Sequence, residues 1–156
     1  MPSTLTAKLD VSSPAFENDG TIPMRYTCDG AAVNPPIHIN EIPHGTQSLA
    51  LLLEDPDAPG GTYDHWIVWN IPPTTTIEED SNPGISGSNS AERTGYRSPC
   101  PPDGSHRYFF SIYALDAELD LAPGATKAEL KKIMKNHILA KGSVMAQYER
   151  ESSDLN

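Results

Sequence analysis

Proline and glycine cut this chain into pieces too short for long helices. Fifteen prolines and eleven glycines punctuate its 156 residues. Each proline fixes φ and withholds a backbone donor, so turns between short strands are favoured. Between these breaks the apolar residues fall in brief runs: Leu49 to Leu53, Trp66 to Ile71 and Arg107 to Leu115. The latter two mix aromatic and branched side chains, as strands prefer. Leu49 to Leu53 is apolar without interruption, which suggests a strand covered on both faces. Ala7 to Ser12, Ile37-His38-Ile39 and Val144 to Tyr148 are further strand candidates. A mainly β chain is expected.

One segment reads as a helix. Thr126 followed by Glu129 has the spacing of a capping box, just after the turn pair Pro123-Gly124. Leu130, Ile133, Met134, His137 and Ile138 then share one face, and Gly142 is placed to end the helix. His137 is thereby expected near the helix C-terminus, where its charge suits the dipole. The polar stretch Thr74 to Glu92 reads as a long loop. With no linker-like boundary and no repeat, residues 1–156 read as a single domain.

The formal charge is −10, from 21 acidic against 11 basic residues with no basic cluster. Such a surface is a poor match for nucleic acid or an anionic membrane. No window has the length of a membrane span, and Met1 to Asp10 lacks the apolar centre of a leader, so a cytoplasmic location is expected.

Two junctions concentrate the chemistry. Asp55-Pro56-Asp57-Ala58-Pro59 closes one apolar run, and His65 opens the next. Pro99-Cys100-Pro101-Pro102-Asp103-Gly104-Ser105 leads directly into His106-Arg107-Tyr108. Each junction sets a proline-stiffened loop beside a histidine at a strand start. The aspartates could simply cap turn N–H groups, or orient and charge a nearby imidazole. In the second case His65, His106, the Tyr108 hydroxyl and loop N–H groups form an anion pocket. Asp55 and Asp57 have no further acidic ligands around them to suggest a metal. Cys28 and Cys100 each lie in turn-rich sequence, open to three readings: free buried cysteines, modifiable thiols, or a redox pair at the pocket rim. Their spacing with histidines does not match a zinc site. No nucleophile elbow, zinc-protease, dinucleotide or Walker motif occurs.

These residues resemble the phosphatidylethanolamine-binding protein family, most closely its bacterial and archaeal Raf-kinase-inhibitor-like branch. The resemblance runs through Ser13-Pro14-Ala15-Phe16, Tyr26-Thr27-Cys28-Asp29-Gly30, Asp55-Pro56-Asp57-Ala58-Pro59 and His65-Trp66-Ile67-Val68-Trp69-Asn70-Ile71-Pro72. It continues in Gly95-Tyr96, Pro99-Cys100-Pro101-Pro102, Gly104 and His106-Arg107-Tyr108. It implies two packed antiparallel sheets, one helix near the C-terminus, and a small pocket for phosphate or phosphoryl head groups. Asp55, Asp57, His65, Pro101, Pro102, His106 and Tyr108 are the implied lining. Relatives tend to carry glycines where Arg97 and Ser98 stand, so this chain adds bulk and a cation near the mouth.

The function expected is therefore non-enzymatic binding of a phosphoryl-bearing small molecule, with no cofactor and no metal, and regulation of a partner protein. The alternative is a serine protease or kinase inhibitor working through a surface loop such as Thr74 to Glu92. A hydrolase would need a nucleophile, for which Cys100 is the candidate. The resemblance also implies a homodimer.

Overall fold

The computed structural model describes residues 7–150. Most of the Met1 to Asp10 stretch read above for a leader lies outside the described residues. In chain order the elements are β1 (Ala7–Lys8), β2 (Asp10–Ser12), β3 (Gly20–Thr21), β4 (Ile37–Asn40), β5 (Ser48–Asp55), β6 (Tyr63–Ile71), β7 (Thr76–Ile77), β8 (Ile85–Ser86), β9 (His106–Leu115), α1 (Lys127–Met134) and β10 (Ile138–Tyr148). A short 3-10 turn, Met24–Tyr26, precedes β4.

The main sheet has seven strands, ordered β1-β10-β9-β5-β6-β8, with β3 also paired to β10. The second sheet is β2-β4-β7. The long central strands are antiparallel, as expected, while the two-residue strands β1 and β3 run parallel to β10.

Alternation explains β9: His106, Tyr108, Phe110, Ile112 and Ala114 are all buried, and the residues between them are more exposed. These side chains meet Leu49, Leu51 and Leu53 of β5 and Ile37 and Ile39 of β4 in the core between the sheets. The uninterrupted run in β5 has the predicted cause. Its other face, Ala50 and Leu52, joins Ile67 and Trp69 beneath Leu130 and Met134 of α1. Burying one such large apolar side chain contributes about 1.5–3 kcal/mol, which is why two covered faces favour this strand so strongly.

The capping box forms in both halves: Thr126 Oγ1 accepts the Glu129 N–H, and Glu129 Oε1 accepts the Thr126 N–H at 2.8 Å. The helix then stops at Met134, about one turn short of the stripe's end at Ile138. His137 lies in the following turn and its Nδ1 pairs with Asp116 at 2.7 Å, so it is no helix-face residue. Gly142 is no helix stop either. It sits inside β10 opposite Ile112, where a Cβ would meet the Leu9 carbonyl oxygen at 2.3 Å. Pairing of β10 with β9 along its length outcompetes the helical continuation, because the ladder satisfies the backbone while burying Ala140, Val144 and Ala146. Thr74 to Glu92 is likewise more ordered than a loop. It contains β7 and β8, and Asn34 accepts the Asp80 and Ser81 N–H groups.

Candidate anion pocket

β5 and β9 are neighbours in the main sheet, and their inward faces carry Asp55 and His106 to one end of the core. The His106 Nδ1–H donates to Asp55 Oδ2 at 2.6 Å, with both side chains nearly sealed from solvent. The second Asp55 oxygen accepts the Asp57 N–H at 2.8 Å, closing the turn that Pro56 begins. Both readings of the aspartate loop are thus realised in one residue, which caps its own turn and orients an imidazole. A buried pair of this kind persists because each partner's remaining polar atoms are also satisfied or accessible.

His65 arrives by a less regular route. Between Leu53–Trp66 and Glu54–Asp64 the β5/β6 register jumps, leaving His65 as the extra residue of a bulge. Without the bulge, alternation would place His65 with Ile67 and Trp69 on the outer face. With it, Glu54 and Asp64 turn outward to share Lys127 Nζ at 2.7 Å each, and Tyr63 and His65 turn to the pocket. His65 Nδ1–H donates to the Arg97 carbonyl at 2.8 Å, and the Arg97 N–H returns a bond to the His65 carbonyl at 2.9 Å. Burial, above all, pulls the His65 imidazole below the usual histidine value; the Arg97 carbonyl and the Asp55 charge oppose this only in part.

The resulting cavity has a volume of about 340 Å³ and is lined by Asp55, Ala58, Pro59, Tyr63, His65, Arg97, Ser98, Cys100, Pro101, Pro102, His106 and Tyr108. That is the lower end of the small-ligand range. The Tyr108 ring packs against both imidazoles, edge-on to His65 at 5.4 Å and stacked with His106 at 6.4 Å. Tyr108 is wholly buried, and its hydroxyl has no hydrogen-bond partner among the described residues. Burial, then the nearby Asp55 charge, drives that phenol far above its ordinary value, so it stays a donor.

Six of the seven implied lining residues therefore meet here. Asp57 does not. Its carboxylate grips Arg107 outside the cavity, through Nε at 2.9 Å, a terminal nitrogen at 2.8 Å and the backbone N–H at 2.9 Å. These bonds hold the Asp57 carboxyl at about 2 and tie the proline loop to β9. Tyr63 was missed in sequence, although it lies two residues from His65 and its ring packs at a tilt against the imidazole at 4.7 Å; the period of a strand was the available signal.

Cys28 and Cys100 form a disulfide, with their Cα atoms 5.4 Å apart. Both are exposed, which overturns the buried free-thiol reading, and in this form Cys100 has no thiolate with which to attack a substrate. The bond joins the pocket rim to the Tyr26-to-Gly30 turn, where the Cys28 N–H donates to the Pro99 carbonyl at 3.0 Å and the Tyr96 hydroxyl to the Tyr26 carbonyl at 2.7 Å. Gly30 lets that turn close: a Cβ there would sit 2.3 Å from the Met24 carbonyl oxygen. A larger depression of about 450 Å³, beside Trp66, Ile85 and Tyr96, is lined by serine, asparagine and threonine and holds no charged group.

Comparison with known proteins agrees with this architecture. The family profile described as phosphatidylethanolamine-binding protein matches residues 12–149. A UPF0098 protein of Methanothermobacter thermautotrophicus is 42% identical over 91% of this chain and 99% of its own length. One from Pyrococcus abyssi is 46% identical over 89% of this chain and 84% of its own. Among solved structures, a phosphatidylethanolamine-binding protein homolog from Chlamydia trachomatis superposes with a TM-score of 0.90 at 37% identity, covering 94% of this chain and all (100%) of that one. E. coli YbcL, described as a member of the mammalian family, gives 0.84 at 25% identity, covering 93% and 100%. Matching sequence over nearly the whole chain, on the same two-sheet scaffold, places this protein in the phosphatidylethanolamine-binding protein family, in company with its bacterial and archaeal members.

Proposed function

We propose that this protein binds a phosphoryl-bearing small molecule in the cavity between Asp55, His65, His106 and Tyr108, and does so without chemical turnover. The observation that carries the reading is the pair of nearly buried imidazoles, His65 and His106, that line one cavity beside Asp55. His106 supplies a donor when a proton joins its Nε2, since Nδ1 is already committed to Asp55. Arg97 brings a cation to the mouth and makes no ion pair among the described residues. The protein's net charge of −10 gives anions no long-range steering, so these local donors supply the affinity.

Regulation of a partner protein and homodimer assembly belong to the same proposal and rest on the family resemblance. The alternative, inhibition through Thr74 to Glu92, gains no support from a segment held by β7, β8, Asn34 and the Glu79–Arg25 pair. A cytoplasmic location sits less easily with the disulfide, a bond uncommon in mesophile cytosol and frequent in oxidising compartments or hyperthermophiles.

Calorimetric titration with inorganic phosphate tests the reading. Wild type and Lys131→Ala should bind alike, while His106→Ala should lose most of the affinity. Equal affinity in wild type and His106→Ala would overturn the proposal.

A further inference from the structure

We infer that the pocket selects by the ligand's own proton: it prefers a phosphate group that still carries an O–H, as a phosphate monoester monoanion does, over a phosphodiester or sulfate ester of equal charge, and His65 is the residue that discriminates. This inference rests on the phosphoryl-binding reading above and narrows its ligand class. The geometry behind it is the reciprocal pair between His65 and Arg97. A carbonyl can only accept, so the His65 proton sits on Nδ1, facing the Arg97 oxygen. Nε2 is then a bare lone pair on a pocket-lining ring, with no protein donor opposite it among the described residues.

Charging the ring would turn that lone pair into a donor. The groups that face it are mixed: Asp55 and Asp64 favour the cation, Arg97 opposes it, and burial opposes it most. Tyr63 and Tyr108 pack against the ring. His65 therefore enters the site as an acceptor, and His106 becomes a donor there when a proton joins its Nε2.

A phosphodiester anion and a sulfate ester offer oxygen lone pairs and no donor. Either can accept from His106 once its Nε2 carries a proton, but each sets an oxygen against the His65 lone pair. A phosphate monoester, with a second ionisation near about pH 6, retains an O–H that Nε2 can accept. Leaving one buried acceptor unmatched should weaken binding by roughly tenfold to a hundredfold.

The test compares phenyl phosphate, methyl phenyl phosphate and phenyl sulfate by calorimetry at about pH 6, near that second ionisation. Wild type should bind phenyl phosphate at least about tenfold more tightly than the other two, and His65→Phe should close the gap. Comparable affinity for all three in wild type, or a preference for the diester, overturns the inference and leaves the phosphoryl pocket standing. Binding of none of them overturns the pocket itself. Nitrogen-15 NMR of wild type gives a readout that does not depend on the variant's folding. His65 Nε2 should be unprotonated in the free protein and should shift on adding phenyl phosphate but not phenyl sulfate. A proton on Nε2 in the free protein, or equal shifts with both, refutes the acceptor role.

Discussion

Replacing Asp55 by asparagine keeps the shape of the β5 terminus and removes one charge. The amide oxygen can still accept the Asp57 N–H that Asp55 accepts at 2.8 Å, so the proline turn survives. The amide nitrogen then faces His106 Nδ1, now a donor at the place where an oxygen accepts at 2.6 Å. His106 must accept there, which moves the proton of its neutral ring to Nε2. Two consequences follow. An imidazolium loses its carboxylate, and a hydrogen bond to a charged partner contributes about 1.5–3 kcal/mol, so phosphate should bind roughly tenfold to 150-fold more weakly. The pH dependence should also flatten, because the neutral ring already presents an N–H to the cavity. Calorimetry with inorganic phosphate between about pH 5.5 and 8, the range in which histidine charge changes, measures both. Urea unfolding of the variant in parallel should show a loss no larger than about 3 kcal/mol. Unchanged affinity with an unchanged slope would show that the His106–Asp55 pair does not serve the ligand. Weaker binding with the wild-type slope would refute the tautomer exchange.

Three further perturbations follow from the same geometry. Asp57 has a folded value of about 2 against an ordinary 3.8, so its stabilisation is present above about pH 4 and is lost as pH falls toward 2; Arg107→Ala should raise the Asp57 midpoint toward 3.8 by NMR and move acid unfolding to higher pH, and an unmoved midpoint would contradict the assignment. Reducing the disulfide releases a link across 72 residues and should cost about 2–4 kcal/mol; urea midpoints that coincide with and without reductant would refute this. Gly142→Ala forces a Cβ to within 2.3 Å of the Leu9 carbonyl oxygen, so thermal unfolding should show a loss of about 1–3 kcal/mol, and an unaltered transition would mean the Leu9 backbone yields without penalty.

Local chemistry made much of this protein legible in its residues. The alternation from His106 to Ala114 set the inward face of β9, the unbroken Leu49 to Leu53 run announced a strand covered twice, and Thr126 with Glu129 announced a helix start. These signals read clearly because side-chain direction in a strand, and donor supply at a helix end, depend on near neighbours. Long-range competition decided the rest. The stripe from Leu130 to Ile138 was locally consistent with a longer helix, but β9 offered β10 a ladder, and Ile138 and Gly142 went to the sheet. Asp57, expected in the pocket, found Arg107 of β9 instead. Cys28 and Cys100 could not be paired from spacing, because their approach depends on how two remote turns stack. His65 is the sharpest case. Regular alternation sends it outward, and one extra residue in the β6 register sends it inward beside His106. A bulge depends on what two strands bury against their neighbours, and no stretch of one strand contains that information.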